Sequence, residues 1–126
     1  MASNNEIINK AQIEIEACGE TITVESNEET VRKLHLEIHK TAGCNITAVG
    51  HHIRYCISVK NESGVDLHDL LFKDTIDSHT SYVTGSFTVN GTPRTPTVLG
   101  HTITYEISEI EDDDTVNICF RVLVDS

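Results

Sequence analysis

Three polar residues stand in rows of the sequence that otherwise read as core. In "VRKLHLEIHK" (31–40), Lys40 shares its parity with Leu34, Leu36 and Ile38. In "LHDLLFKDTI" (67–76), Asp74 falls in step with Leu70, Phe72 and Ile76. In "NEIINKAQIEI" (5–15), Asn9 belongs with Ile7, Ala11, Ile13 and Ile15. Burying such groups is costly unless they satisfy one another. The plainer arrangement is a Lys40–Asp74 salt bridge, or a Lys40 that snorkels to the rim, with Asn9 bonded to backbone. Burial also opens a chemistry. Desolvation pushes an amine toward its neutral, nucleophilic form and an acid toward its protonated form. Glu106 is an alternative acid, less favoured because its neighbours Tyr105 and Ile107 hold the core register.

Other chemistry-bearing groups lack a pattern. "HLEIH" puts His35, Glu37 and His39 on one outward strand face, and His51-His52 and "EDDD" (111–114) invite zinc or calcium. None has the ligand spacing of a known metal loop, so solvated side chains and no bound metal are expected. There is no nucleophile elbow and no glycine-rich phosphate loop, so neither enzyme turnover nor a cofactor is expected. Cys18, Cys44, Cys56 and Cys119 form no C-x-x-C pair. Cys56 and Cys119 share the polar face of their strands and are the candidate disulfide, but isolated thiols are the preferred expectation.

These residues must be positioned by strands. Period-two alternation dominates and no stretch holds a capped helical period. Strands are expected over 5–17, 21–25, 31–40, 51–61, 67–76, 100–110 and 115–124, with a short strand within 81–92. "CGE" (18–20) reads as a tight turn, "SNEE" (26–29) as a polar break with turn chemistry, and Asn90-Gly91 as a hairpin turn. About eight evenly spaced strands without βα alternation point to an all-β, immunoglobulin-like antiparallel sandwich. With no Trp, three Phe and three Tyr, its core must come mainly from Ile, Val and Leu.

A net charge of −11 makes nucleic acid and anionic membrane surfaces poor partners. No run approaches the ~18 apolar residues of a membrane span. No basic-then-apolar leader opens the sequence. The chain therefore reads as leader-processed, cut from a longer protein, or exported by another route.

From 36 to 124 the chain resembles the conserved Ig-like repeat found in tandem in bacterial and archaeal surface proteins and large adhesins. The resemblance is carried by "LEIHKTAG", by "VGHHIRYCISVKNESGVDLHDLLFKDTI" and by "SYVTGSFTVNGTP". One departure is Asp77, where the family has Pro after its D-T-I/L. A larger one concerns order. The family's closing strands are absent after Val124 and stand at the front instead, as "IINKAQIEI" and "TITVESNEE". The resemblance thus implies a donor-type hairpin over 1–30 and an Ig-like body over 31–126 that lacks its last two strands.

The isopeptide domains of Gram-positive adhesins and pilins use the same three residue types. By that resemblance, Lys40 attacks the Asn9 carboxamide while Asp74 shuttles protons, in a single turnover. A hairpin without a body either folds back in cis or completes a neighbouring copy by strand donation. A head-to-tail contact of the second kind does not close and builds a fibre. The favoured expectation is a structural subunit of an extracellular bacterial surface fibre, a spore surface included, whose partners are copies of itself. The alternative is one repeat of a long cell-wall adhesin, serving as stalk or binding a host or matrix ligand.

Overall fold

The computed structural model describes residues 6–126, which form strands and turns. Among them there is no helix, hence none long and apolar enough to cross a membrane. The chain divides between His35 and Leu36 into two units.

The first unit is a hairpin. β1 (Glu6–Ala17) and β2 (Glu20–Arg32) pair antiparallel in a two-stranded sheet of their own. They are joined at Cys18 and Gly19, whose φ angles of 52° and 77° suit the tight turn that twists with the strands. The register aligns apolar partners: Ile7 with Val31, Ile13 with Val24, and Ile15 with Ile22. "SNEE" is not a turn. The register slips between Lys10 and Gln12, with the extra residue on β2 at Ser26–Asn27. The Ala11 amide, left without a ladder partner, donates to Ser26 Oγ at 2.9 Å. The polar cluster is therefore a β-bulge inside one continuous strand.

The expected strand over 31–40 is interrupted for a related reason. Val31 and Arg32 belong to the hairpin ladder, with Arg32 also ion-paired to Glu6. Strand structure stops at Lys33–His35 and resumes at Leu36. Leu34, expected inward, is exposed.

The second unit holds β3 (Leu36–Ala42), β4 (His52–Asn61), β5 (Leu67–Thr75), β6 (Thr80–Tyr82), β7 (Thr88–Val89), β8 (Thr92–Pro93), β9 (Thr97–Leu99), β10 (Thr102–Ile110) and β11 (Thr115–Val124). One sheet runs β3-β4-β11-β7-β8, with β6 also on β11; another runs β5-β10-β9. Every pairing is antiparallel. Around 81–92, where one short strand is expected, the chain forms three: β6, β7 and β8. Its Asn90-Gly91 turn has φ angles of 51° and 80°, as the dipeptide predicts.

The alternation read from the sequence locates the core. Ile57 and Val59 of β4, Val116, Ile118, Phe120 and Val122 of β11, and Ile103, Ile107 and Ile110 of β10 are buried in one cluster with Ile76 and Phe87. Phe87 links the sheets: its ring centroid lies 5.2 Å from that of Tyr105 on β10 and 6.3 Å from that of Phe120 on β11. Burying such a side chain contributes about 1.5–3 kcal/mol.

Candidate functional site

Among the described residues, β3 and β5 each stand at the end of a sheet, so each leaves one row of backbone groups without a neighbouring strand. Lys40 of β3 reaches across to Asp74 of β5, Nζ to Oδ2 at 2.7 Å. The two side chains are unequally placed: Asp74 is 8% exposed and Lys40 43%. The Lys40 ammonium also lies 4.6 Å from the centroid of the Tyr55 ring, which attracts it through the ring's negative face. Both residues point as their parity predicts, toward the side of the core rows. Asp74 sits directly across β10 from the fully buried Ile103. On β3, Ile38 shares the row of Lys40 yet is 67% exposed.

Asn9 belongs to the hairpin unit, where it is paired directly with Glu29 and is exposed. Lys40 and Asp74 thus meet within one unit, while the third member of the trio is carried by the other. Glu106 is exposed on the opposite face of β10 from Tyr105 and Ile107, in register with Leu71. Glu37 and His39 occupy the outward row of β3, across from Lys60 and Ser58.

Cys56 and Cys119 are paired directly across β4 and β11, their Cα atoms 4.1 Å apart, and are joined by a disulfide. The expectation of isolated thiols fails for this pair because the antiparallel register sets the two residues face to face. Cys18 and Cys44 are free and exposed.

Asn61 escaped the sequence reading as a site of its own, although it closes the core row of Ile53, Tyr55, Ile57 and Val59. It is fully buried. Its Nδ2 donates to the carbonyls of Val65 at 2.7 Å and Ile110 at 2.9 Å, and its Oδ1 accepts from the Ser63 amide at 3.0 Å. Its backbone amide donates to the Asp114 carbonyl and its carbonyl accepts from the Asp113 amide. One side chain therefore ties the 62–66 turn to the acidic turn. The acids of "EDDD" serve the same junction, Asp112 Oδ1 accepting from the Gly64 amide and Asp66 Oδ1 from the Asp112 amide. The signal was available as a polar residue in core parity at a strand end.

Asp77, which replaces the proline of the resembled pattern, shapes the turn into β6. Its Oδ1 accepts from both the backbone amide and the ring Nδ1 of His79 at 2.8 Å, and its carbonyl accepts from the Thr80 amide. The His79 backbone amide, and then its ring, hold the Asp77 carboxyl below its ordinary value.

A cleft of about 590 Å³ shares no residue with the Lys40–Asp74 pair and includes Ser81, Tyr82, Arg94, Val98 and His101 in its lining. Comparison of the chain with known protein families, curated proteins and solved structures finds no match.

Proposed function

We propose that this chain is an Ig-like β-sandwich subunit of an extracellular surface fibre, assembled head-to-tail by donation of its N-terminal hairpin. The observation that carries the reading is the exposed apolar face of that hairpin. Ile7, Ile13, Ile15, Ile22, Val24 and Val31 are all exposed, in cross-strand pairs on one side. A two-stranded hairpin with such a face is at best marginal alone and gains stability by covering a core. The open edges of β3 and β5 offer the place for strand addition. The Cys56–Cys119 disulfide suits an oxidising, extracellular compartment.

In this reading the donated strand also brings Asn9 to Lys40. Lys40 is half-exposed in the chain by itself, and the incoming strand would supply the burial that frees its lone pair. Nζ then attacks the Asn9 carboxamide carbon, the new amide bond forms, and the old C–N bond breaks. Asp74 takes the proton from Nζ and passes it to the leaving nitrogen, which departs as ammonia. The product is one cross-link per contact, without turnover.

Size-exclusion chromatography, negative-stain microscopy, a denaturing gel and intact mass test the reading together. Fibres and a ladder resistant to boiling and reductant, each link about 17 Da lighter, are the expected result. A single band at the unmodified mass removes the covalent step, and a monomer by chromatography removes the fibre. A monomer that binds an anionic ligand through Arg94 and His101 of the 590 Å³ cleft would favour the alternative, an adhesin repeat.

A further inference from the structure

The hairpin face that carries Asn9 carries a carboxylate as well. Asn9 and Glu29 are direct cross-strand partners, so their side chains leave the sheet on the same side. That side holds Ile7 and Val31 toward one end and Ile13, Val24, Ile15 and Ile22 toward the other. Glu29 is thus a negative charge set within an apolar row, exposed, and oriented by the Asn27 side-chain amide, which donates to Oε1 at 2.7 Å. Glu25 and Glu28 project from the opposite face, paired in register with Gln12 and Lys10.

The second unit carries the converse. The core-facing rows of two of its open edges are Leu36, Ile38 and Lys40 on β3, and Leu70, Phe72 and Asp74 on β5. Because Lys40 bridges to Asp74, both of these edges lie on one side of this unit. Lys40 is the cation in these rows, and its partial exposure leaves donor capacity beyond Asp74. The apolar row from Ile7 to Ile15 spans about 27 Å at the usual strand rise, which matches the nine-residue β5.

We propose that Glu29 of one copy pairs with Lys40 of a second copy, and that this pair sets the register of the donated hairpin against the open β3 and β5 edges. The proposal rests on the donated-hairpin reading. A charge in an otherwise apolar row is a register device. Sliding the hairpin by two residues would set Glu29 against Ile38 or Ala42 and leave its carboxylate without a cation in a covered site, while Lys40 keeps Asp74. The occupant is a second copy because the complementary rows are this chain's own: an apolar face holding one carboxylate on the hairpin, and apolar edges holding one ammonium on the second unit. Glu29 engages Lys40 while it is still an ammonium, before any amide forms, and the same contact places Asn9 beside it, since Asn9 and Glu29 occupy one cross-strand position.

A charge exchange tests it. Glu29→Lys changes an exposed hairpin residue and leaves the second unit intact. Lys40→Glu is combined with Asp74→Asn, so that two carboxylates do not face each other. Circular dichroism verifies that each chain is folded, and sedimentation velocity with microscopy reads assembly. Each variant alone is expected to raise the concentration needed for fibres by about tenfold or more. Mixing the two restores fibres of alternating copies, because each hairpin then meets a body of opposite charge. Assembly of Glu29→Lys at the wild-type concentration overturns the pair while leaving strand donation standing. Two folded variants that stay apart when mixed also overturn it. A wild-type chain that never assembles overturns the donated-hairpin reading itself, and this pair with it.

Discussion

Lys40 and Asp74 join, at 2.7 Å, two strands that each end a sheet, β3 and β5. Their burial is lopsided, which makes the two partners unequal under mutation. Removing the amine leaves a carboxylate that is 8% exposed facing no other ion pair among the described residues. Removing the acid leaves an ammonium that still reaches water and the Tyr55 ring. Lys40→Met should therefore destabilise the protein by about 1–2 kcal/mol and Asp74→Asn by less. Urea unfolding of the two variants checks the order, and equal losses would contradict it. Both variants should also lack the boiling-resistant ladder.

Asn61 is the more costly polar residue to lose. Asn61→Leu removes the hydrogen bonds to the Val65 and Ile110 carbonyls and from the Ser63 amide at a buried junction. A loss of about 3 kcal/mol or more is expected, measured by urea or thermal unfolding. Asn61→Asp keeps the acceptor for Ser63 but sets a second carboxyl oxygen against the two carbonyls in a buried site, and should cost at least as much.

The Cys56–Cys119 disulfide closes a loop with a sequence separation of 63 between strands that are already in register. Replacing both cysteines with Ala should lower stability by about 2–4 kcal/mol through the freer unfolded chain. The melting temperature of the wild-type protein should drop with reductant, while that of the double variant should not respond.

Asp77 gives a pH signature. Folding lowers its pKa, so on acidification the unfolded chain binds this proton first. Its stabilisation is complete above the ordinary value of 3.8 and is lost as pH falls through the lower folded value. The leading cause is the His79 backbone amide, which substitution retains. In an NMR titration, His79→Ala should thus raise the Asp77 midpoint only part of the way back.

Much of the local order was legible from residue types. The Cys18-Gly19 and Asn90-Gly91 turns follow from the need for positive φ at both positions. The buried rows of β4, β10 and β11 follow from alternation, since a strand side chain has only two directions. The inward parity of Lys40 and Asp74 came from the same rule. The failures share a cause too. "SNEE" has turn composition, but a β-bulge needs the same composition, and only the pairing partner distinguishes them. The break at 33–35 depends on which ladder claims Val31 and Arg32, which no local propensity records.

Sequence alone determined the all-β class, the Cys18-Gly19 and Asn90-Gly91 turns, the core rows of β4, β10 and β11 and the inward parity of Lys40 and Asp74, because these depend on periodicity two and on backbone sterics. Tertiary structure decided which of those rows meet: that Lys40 finds Asp74, that Cys56 faces Cys119, that Asn61 gathers two turns, and that Glu29 stands beside Asn9. Register and strand order are set by the summed burial of residues far apart in the chain, and a window along the sequence contains no term for that sum.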